Sequence, residues 1–295
     1  MLSRRTFVTG AVGVFGVPAL SSLAGRSVAS ATPSPEAVHA GLRSTIRGIP
    51  VDQAAVAEWE RRRVPVAAAR LARDFGGVLG GELDSLLTHR ALPVADLPGG
   101  RAALARARAA IGVDRMRELL APEIVASENV TRAAVASSSG SWAIAEAVID
   151  SARGTAAGFA DWFDRARIAD ARDIWTDACP DHYVIVTGAD GRQEVIETTG
   201  GAVLPSRFFC DYTDLARVPI PGDPAYPVTI AATAALATGE LIGGVRHQFR
   251  DLPGGGFGAR LRVAFPIAVP ELNIVEHSWH LATEFGNWIT AYLDG

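Results

Sequence analysis

The chain has no lysine: all 28 of its basic residues are arginine, which reads as codon bias rather than function. No GK[ST] step therefore exists, so the glycines of "DLPGGGFG" (Asp251 to Gly258) form a hairpin turn and not a phosphate cradle. Cysteine is almost as scarce. Cys179 and Cys210 lack CxxC spacing, and they are either one disulfide or two free thiols. No repeat of fixed period and no basic patch stands out, and the formal charge is −4. That balance does not favour nucleic acid or an anionic membrane as partner. The one apolar run at the N-terminus, Phe7 to Leu20, is broken by glycines and Pro18 and is too short for a stable membrane span.

What precedes that run is informative. "SRRTFVTG" (Ser3 to Gly10) sets Arg4 and Arg5 ahead of it, and Ala29, Ser30 and Ala31 supply a small-residue cleavage point before Thr32. Residues 1–31 read as a twin-arginine export signal, and the expected location is extracytoplasmic or secreted. Removing Arg4, Arg5 and Arg26 takes the formal charge from −4 to −7. Twin-arginine export carries folded proteins, often with a cofactor already loaded, which favours a metal.

With 48% hydrophobic and 20% charged residues the remainder suits a globular protein with a sizeable core. Residues 32–160 form an expected helical N-terminal region, since "VDQAAVAEWERRR" and "GGRAALARARAAIG" are rich in Ala, Leu and Arg at helical spacing. "SSSGS" (Ser137 to Ser141) breaks it. Near Pro180 the texture changes. "HYVIVTGADGRQEVIETTGG" is a β-hairpin, and "RFFCDY", "YPVTIAATAAL", "LIGGVRHQFRD" and "GARLRVAFP" add strands before a long terminal helix. The expected fold of 161–295 is α+β: an antiparallel sheet wrapped around that helix, enclosing a pocket.

On the terminal helix, "HSWHLATEFGNW" places His277, His280, Glu284 and Asn287 in one polar stripe beside an apolar one of Ile274, Leu281, Phe285, Trp288 and Tyr292. His280 and Glu284, one turn apart, can share a metal ion. Two ligands are not a site, so others must come from elsewhere. A tight turn at Gly188 to Gly191, centred between Ala189 and Asp190, makes His182 and Glu197 cross-strand neighbours. Glu194 has the opposite parity. On "VRHQFRD", alternation sets His247 and Phe249 on one face and Arg246, Gln248 and Arg250 on the other.

"GGVRHQFRDLPGGGFGARLRVAFP" followed by "HSWHLATEFGNW" resembles the closing half of the 2,4-diacetylphloroglucinol hydrolase family. The resemblance runs from about Asp161 to the end and is strongest after Gly243. It implies a helix-grip, Bet v 1-like domain with a smaller helical N-terminal part, and a zinc ion held by two His and two Glu. HxxxE on the last helix maps onto His280 and Glu284. "DWFDRARIADARDIWTDACPDH" is similar to the aromatic stretch before the family's first histidine, implying His182, and Glu197 is the candidate for the second ligand. Ile174 and Ile185 stand near the places of a tyrosine and an asparagine that contact substrate in the family, which implies a different substrate.

The implied activity is hydrolysis of an acyl–carbon bond in an aromatic acylphenol or a β-diketone. Zinc polarises the acyl oxygen and acidifies water, and the protein supplies a proton to the departing carbon from His247, His277 or Tyr183. Asn287, Arg250 and Trp279 are candidate contacts to substrate or ligands, and Trp288, Phe249 and Phe257 candidate walls. Two other classes fit the same residues: an exported, non-catalytic binder of an apolar small molecule, and a metal-free cyclase or isomerase. A helical N-terminal region can cap the pocket or pair two copies as a homodimer.

Overall fold

The computed structural model describes residues 41–79, 83 and 96–295; the expected export signal lies outside them. The described residues belong to one compact unit. It opens on a hairpin, β1 (Leu42–Ile46) and β2 (Ile49–Val51). Among the described residues three helices follow: α1 (Gln53–Leu79), α2 (Leu97–Ile111) and α3 (Val113–Ser138). Then come β3 (Trp142–Ser151), two short helices α4 (Ala156–Ile168) and α5 (Arg172–Asp177), and six strands in succession. These are β4 (His182–Thr187), β5 (Gln193–Glu197), β6 (Ser206–Asp211), β7 (Val228–Ala235), β8 (Leu241–Asp251) and β9 (Phe257–Pro266). Helix α6 (Glu271–Asp294) ends the chain.

All nine strands join one antiparallel sheet in the order β2-β1-β3-β9-β8-β7-β6-β5-β4. This is the expected α+β class, a large antiparallel sheet with a long C-terminal helix. The expected boundary at residue 160 is not a structural one, because β3 lies inside the supposed helical region yet pairs with β9 over its whole length, Trp142 with Pro266 through Ser151 with Phe257. Its sequence, WAIAEAVIDS, is rich in alanine and reads as helix from local propensity. Ala145, Ala147 and Ile149 are nevertheless fully buried on alternate positions, so cross-strand packing overrides propensity. The break at Ser137 to Ser141 is real: α3 ends as Ser139 and Gly140 turn left-handed, and the chain enters β3.

Helix α6 lays Ile274, Leu281, Phe285, Trp288 and Ile289 into the main core, together with Phe159 and Phe163 of α4 and Phe249 and Phe257 of the sheet. A second core joins α1 to α3 with Tyr183, Val184, Val186 and Ile196 of the first long hairpin. The helical region therefore covers β4 and β5 from the side away from Ile185 and Val195, which belong to the main core.

A 3-10 turn, Thr199–Gly201, carries the chain from β5 past the start of α6. Gly200 holds φ at 57°, and a Cβ there would collide with the backbone carbonyl of Asn273. Gly200→Ala should destabilise the protein by about 2 kcal/mol or more, strain and collision combined, measured as a lowered urea midpoint at unchanged slope.

Candidate metal centre and cavity

His182 is the first residue of β4 and Glu197 the last of β5, and they are register partners. Nearer the turn Thr187 pairs with Gln193 and Val184 with Ile196, a register centred on Asp190. A bulge at Tyr183 shifts it by one residue and restores the His182–Glu197 pair. The bulge also breaks alternation, so His182 and Ile185 face the main core while Tyr183 and Val184 both face the helices.

Three anchors fix this end of the hairpin. Arg63 of α1 donates two hydrogen bonds to the carboxylate of Asp181, at 2.6 and 2.8 Å. The Asp181 carbonyl in turn accepts from the amide of Thr198 at 3.0 Å, tying the residues beside His182 and Glu197 together. Arg108 of α2 donates to the carbonyls of Thr176, Cys179 and Pro180 at 2.7 to 3.2 Å. His182 Nδ1 lies 2.8 Å from the carbonyl of Trp175; a carbonyl only accepts, so Nδ1 carries the proton and the Nε2 lone pair points away.

That lone pair meets helix α6. His182 Nε2 lies 3.0 Å from His280 Nε2 and 3.3 Å from Glu284 Oε2. Glu197 Oε2 is 3.7 Å from His182 Nε2 and 4.0 Å from His280 Nε2, and His280 Nε2 is 3.7 Å from Glu284 Oε2. Behind His280, Cys179 Sγ sits 3.7 Å from Nδ1. Cys179, His182 and His280 are buried, each with a donor atom within 4.8 Å of the others, and could bind a metal ion. Two donor sets thus share the histidines. Burial pushes the Cys179 thiol up to about 11, so it remains S–H near neutrality, whereas both carboxylates already face Nε2.

Burial opposes the charge on Glu284, but the neighbouring His182 and His280 hold its carboxyl far below the usual range. Burial pushes Glu197 up. His280 is also drawn down by burial, yet its hydrogen bond with Cys179 and the carboxylates of Glu197 and Glu284 raise it well above the ordinary histidine value. The free cluster therefore balances its charge by keeping a proton.

The cluster borders a cavity of about 580 Å³ whose lining includes Glu197, His247, His277, Glu284, Phe163, Trp175, Phe285 and Trp288. His247 packs on Phe285 at 4.6 Å and His277 on His280 at 4.8 Å. Burial lowers His247 to about 4. Burial and then the charge of His280 lower His277 well below 6.5. His247 is thus neutral in the fold, while the unfolded chain protonates at about 6.5. Its contribution to stability is complete above 6.5 and falls as pH drops from there to about 4. The loss should total about 3 kcal/mol, read as a gap in urea midpoint between pH 7 and pH 4.5 that His247→Phe narrows.

Six expected site residues, His182, Glu197, His280, Glu284, His247 and His277, come together here. Four do not. Tyr183 is turned away by the bulge and bonds Thr198 Oγ1 at 2.9 Å. Arg250 has the outward parity of β8 and lies over Tyr226, 4.5 Å from its ring. Asn287 lies off the main cavity, donating to the carbonyl of Ala178 at 2.8 Å. Trp279 packs at the edge of the core without lining the cavity. Of the expected walls only Trp288 lines it; Phe249 and Phe257 are core. Cys179 and Cys210 are free and buried, not a disulfide. Cys179, Trp175, Gln193 and Thr199 belong to the site or its lining without a spacing that marks them, and Arg63 and Asp181 are 118 residues apart.

The chain matches no family model and no curated protein.

Proposed function

We propose that the protein is an exported, zinc-dependent hydrolase that cleaves an acyl–carbon bond in an acylphenol or β-diketone-like molecule. The observation that carries this reading is the pair of Nε2 atoms 3.0 Å apart, with carboxylate oxygens 3.3 to 4.0 Å away. Donor atoms 2.0–2.2 Å from one zinc ion stand roughly 3 to 4 Å from one another, so His182, Glu197, His280 and Glu284 would hold that ion. The carbonyl of Trp175 orients His182 and the sulfur of Cys179 backs His280, as second partners of ligating histidines do. The two carboxylates balance a divalent charge, which suits a buried site.

The order of elements supports a helix-grip, Bet v 1-like arrangement: one strand, two short helices, six strands and a long helix, from β3 to α6. The metal supplies Lewis acidity, polarising the acyl oxygen and acidifying water. His247 manages the proton. It is neutral in the fold and lines the cavity against Phe285 of the helix that carries His280 and Glu284. His247 accepts a proton as water attacks the acyl carbon. The carbon–carbon bond breaks with its electron pair moving to the departing carbon, which takes that proton. The products are a carboxylic acid and the deacylated molecule.

The apolar cavity lining favours one rival, a non-catalytic binder. Incubation with acylphloroglucinols and β-diketones, followed by mass spectrometry of products, separates the two. Cleavage abolished by a chelator and restored by zinc is expected; bound ligand with no product from a zinc-loaded protein would leave the binder.

A further inference from the structure

We infer that the cavity selects its acyl ligand by an uncharged alkyl tail, which runs out through an aliphatic mouth while an aromatic ring lies at the inner end. The placing of its carbonyl at the His–Glu cluster rests on the function proposed above. Helix α6 is the ruler. Leu272 lines the mouth and Glu284 the cluster, twelve residues deeper, which is about 18 Å at 1.5 Å per residue. One turn further in, Phe285 and Trp288 meet Phe163 and Trp175 at an aromatic end.

The mouth is apolar although it is open to water. Val203 is 85% exposed, Leu272 68% and Val130 65%, and all three line the cavity. They come from the segment after the 3-10 turn, from α6 and from α3, so three separate elements place an aliphatic side chain at one opening. Scattered exposed aliphatics need no explanation, but a set converging on a cavity mouth marks a ligand route.

Charge narrows the class. Among the described lining residues there is no arginine, the chain has no lysine, and the charged side chains present are Glu197, Glu276 and Glu284. No arginine or lysine is there to answer an anionic group. Polar atoms are waiting, however. Among the described residues eight buried side-chain atoms lack a partner, and five belong to lining residues: Trp175 Nε1, Gln193 Nε2, Thr199 Oγ1, His247 Nδ1 and His277 Nδ1. Trp175 Nε1, a donor at the aromatic end, suits an oxygen on the ring.

The test is binding, so it does not require turnover. Phenyl alkyl ketones from acetophenone to octanophenone are titrated against the zinc-loaded chain, following fluorescence of Trp175 and Trp288. Affinity should rise about fourfold per methylene and level off once the chain clears the mouth. Val203→Asp and Leu272→Asp, both at exposed positions, should flatten the rise for the outer methylenes. A carboxylate on the ring, as in 4-octanoylbenzoate, should cost at least tenfold. Affinity independent of chain length, or equal binding of the carboxylate, overturns the inference. Zinc content measured on the same samples reports separately on the metal. A chain-length rise in metal-free His280→Ala would uphold the channel by itself, and a wild type that carries no zinc yet shows the same rise would remove the hydrolase while leaving the channel.

Discussion

Purified without added metal or a histidine tag, the protein should carry about one zinc per chain, and the His280→Ala, Glu284→Ala double variant should carry none. Elemental mass spectrometry reads the outcome directly. Each single replacement should weaken zinc binding by roughly a hundredfold to a thousandfold, because it removes one of four donors from a site whose total binding energy is on the order of 10–16 kcal/mol. Acyl–carbon cleavage should fall below detection in the same variants. Binding should also weaken as pH drops, since protons held by His280 and Glu197 compete for the donor atoms. Circular dichroism must show the variants folded. A folded wild type that neither retains nor rebinds zinc would end the metal reading.

The second large effect belongs to Arg63, which touches none of the expected ligands. Its guanidinium meets a fully buried Asp181 through two hydrogen bonds. Removing it leaves that carboxylate buried and unpaired, a loss of about 3–5 kcal/mol. Arg63→Ala should therefore melt on the order of 10 °C lower, at roughly 2–4 °C per kcal/mol for a chain of this size. Calorimetry measures this, and zinc affinity should fall about tenfold to a hundredfold alongside. Asp181 adjoins His182, and its carbonyl holds Thr198 beside Glu197, so the same change loosens both ligands on the hairpin. Arg63→Lys keeps the charge but loses the fork and should recover only part of either quantity. An unchanged melting temperature would show that the pair is not structural.

The site divides cleanly into what local pattern reveals and what it hides. His280 and Glu284 are legible because helical geometry sets residues four apart on one face, and the apolar stripe beside them marks the side that seats on the core. His182 and Glu197 are legible for a less secure reason. A turn centred between Ala189 and Asp190 pairs them, but the actual turn is centred half a residue later, and the bulge at Tyr183 cancels the offset. No pattern in "HYVIVT" announces a bulge, and without one alternation could not set both His182 and Ile185 toward the main core. The strand β3 hides behind alanine, whose propensity is helical while its partner strand lies more than a hundred residues away. Asn287 shares the polar stripe yet sits one turn too far along α6, against Ala178 instead of the cavity. Cys179 becomes part of the site only through the loop that Arg108 holds in place.

The pairing of His182 with His280 spans 98 residues of chain, and that separation sets the order in which the protein can be finished. The hairpin offers two of the four donors as soon as β4 and β5 form, because their contact is local. The other two arrive on the last helix, after the sheet that seats it is closed. A half-built chain therefore has a weak, open two-donor site, and tight capture waits for α6 to dock. On the function proposed above, retention of the ion would report the docking of the final element.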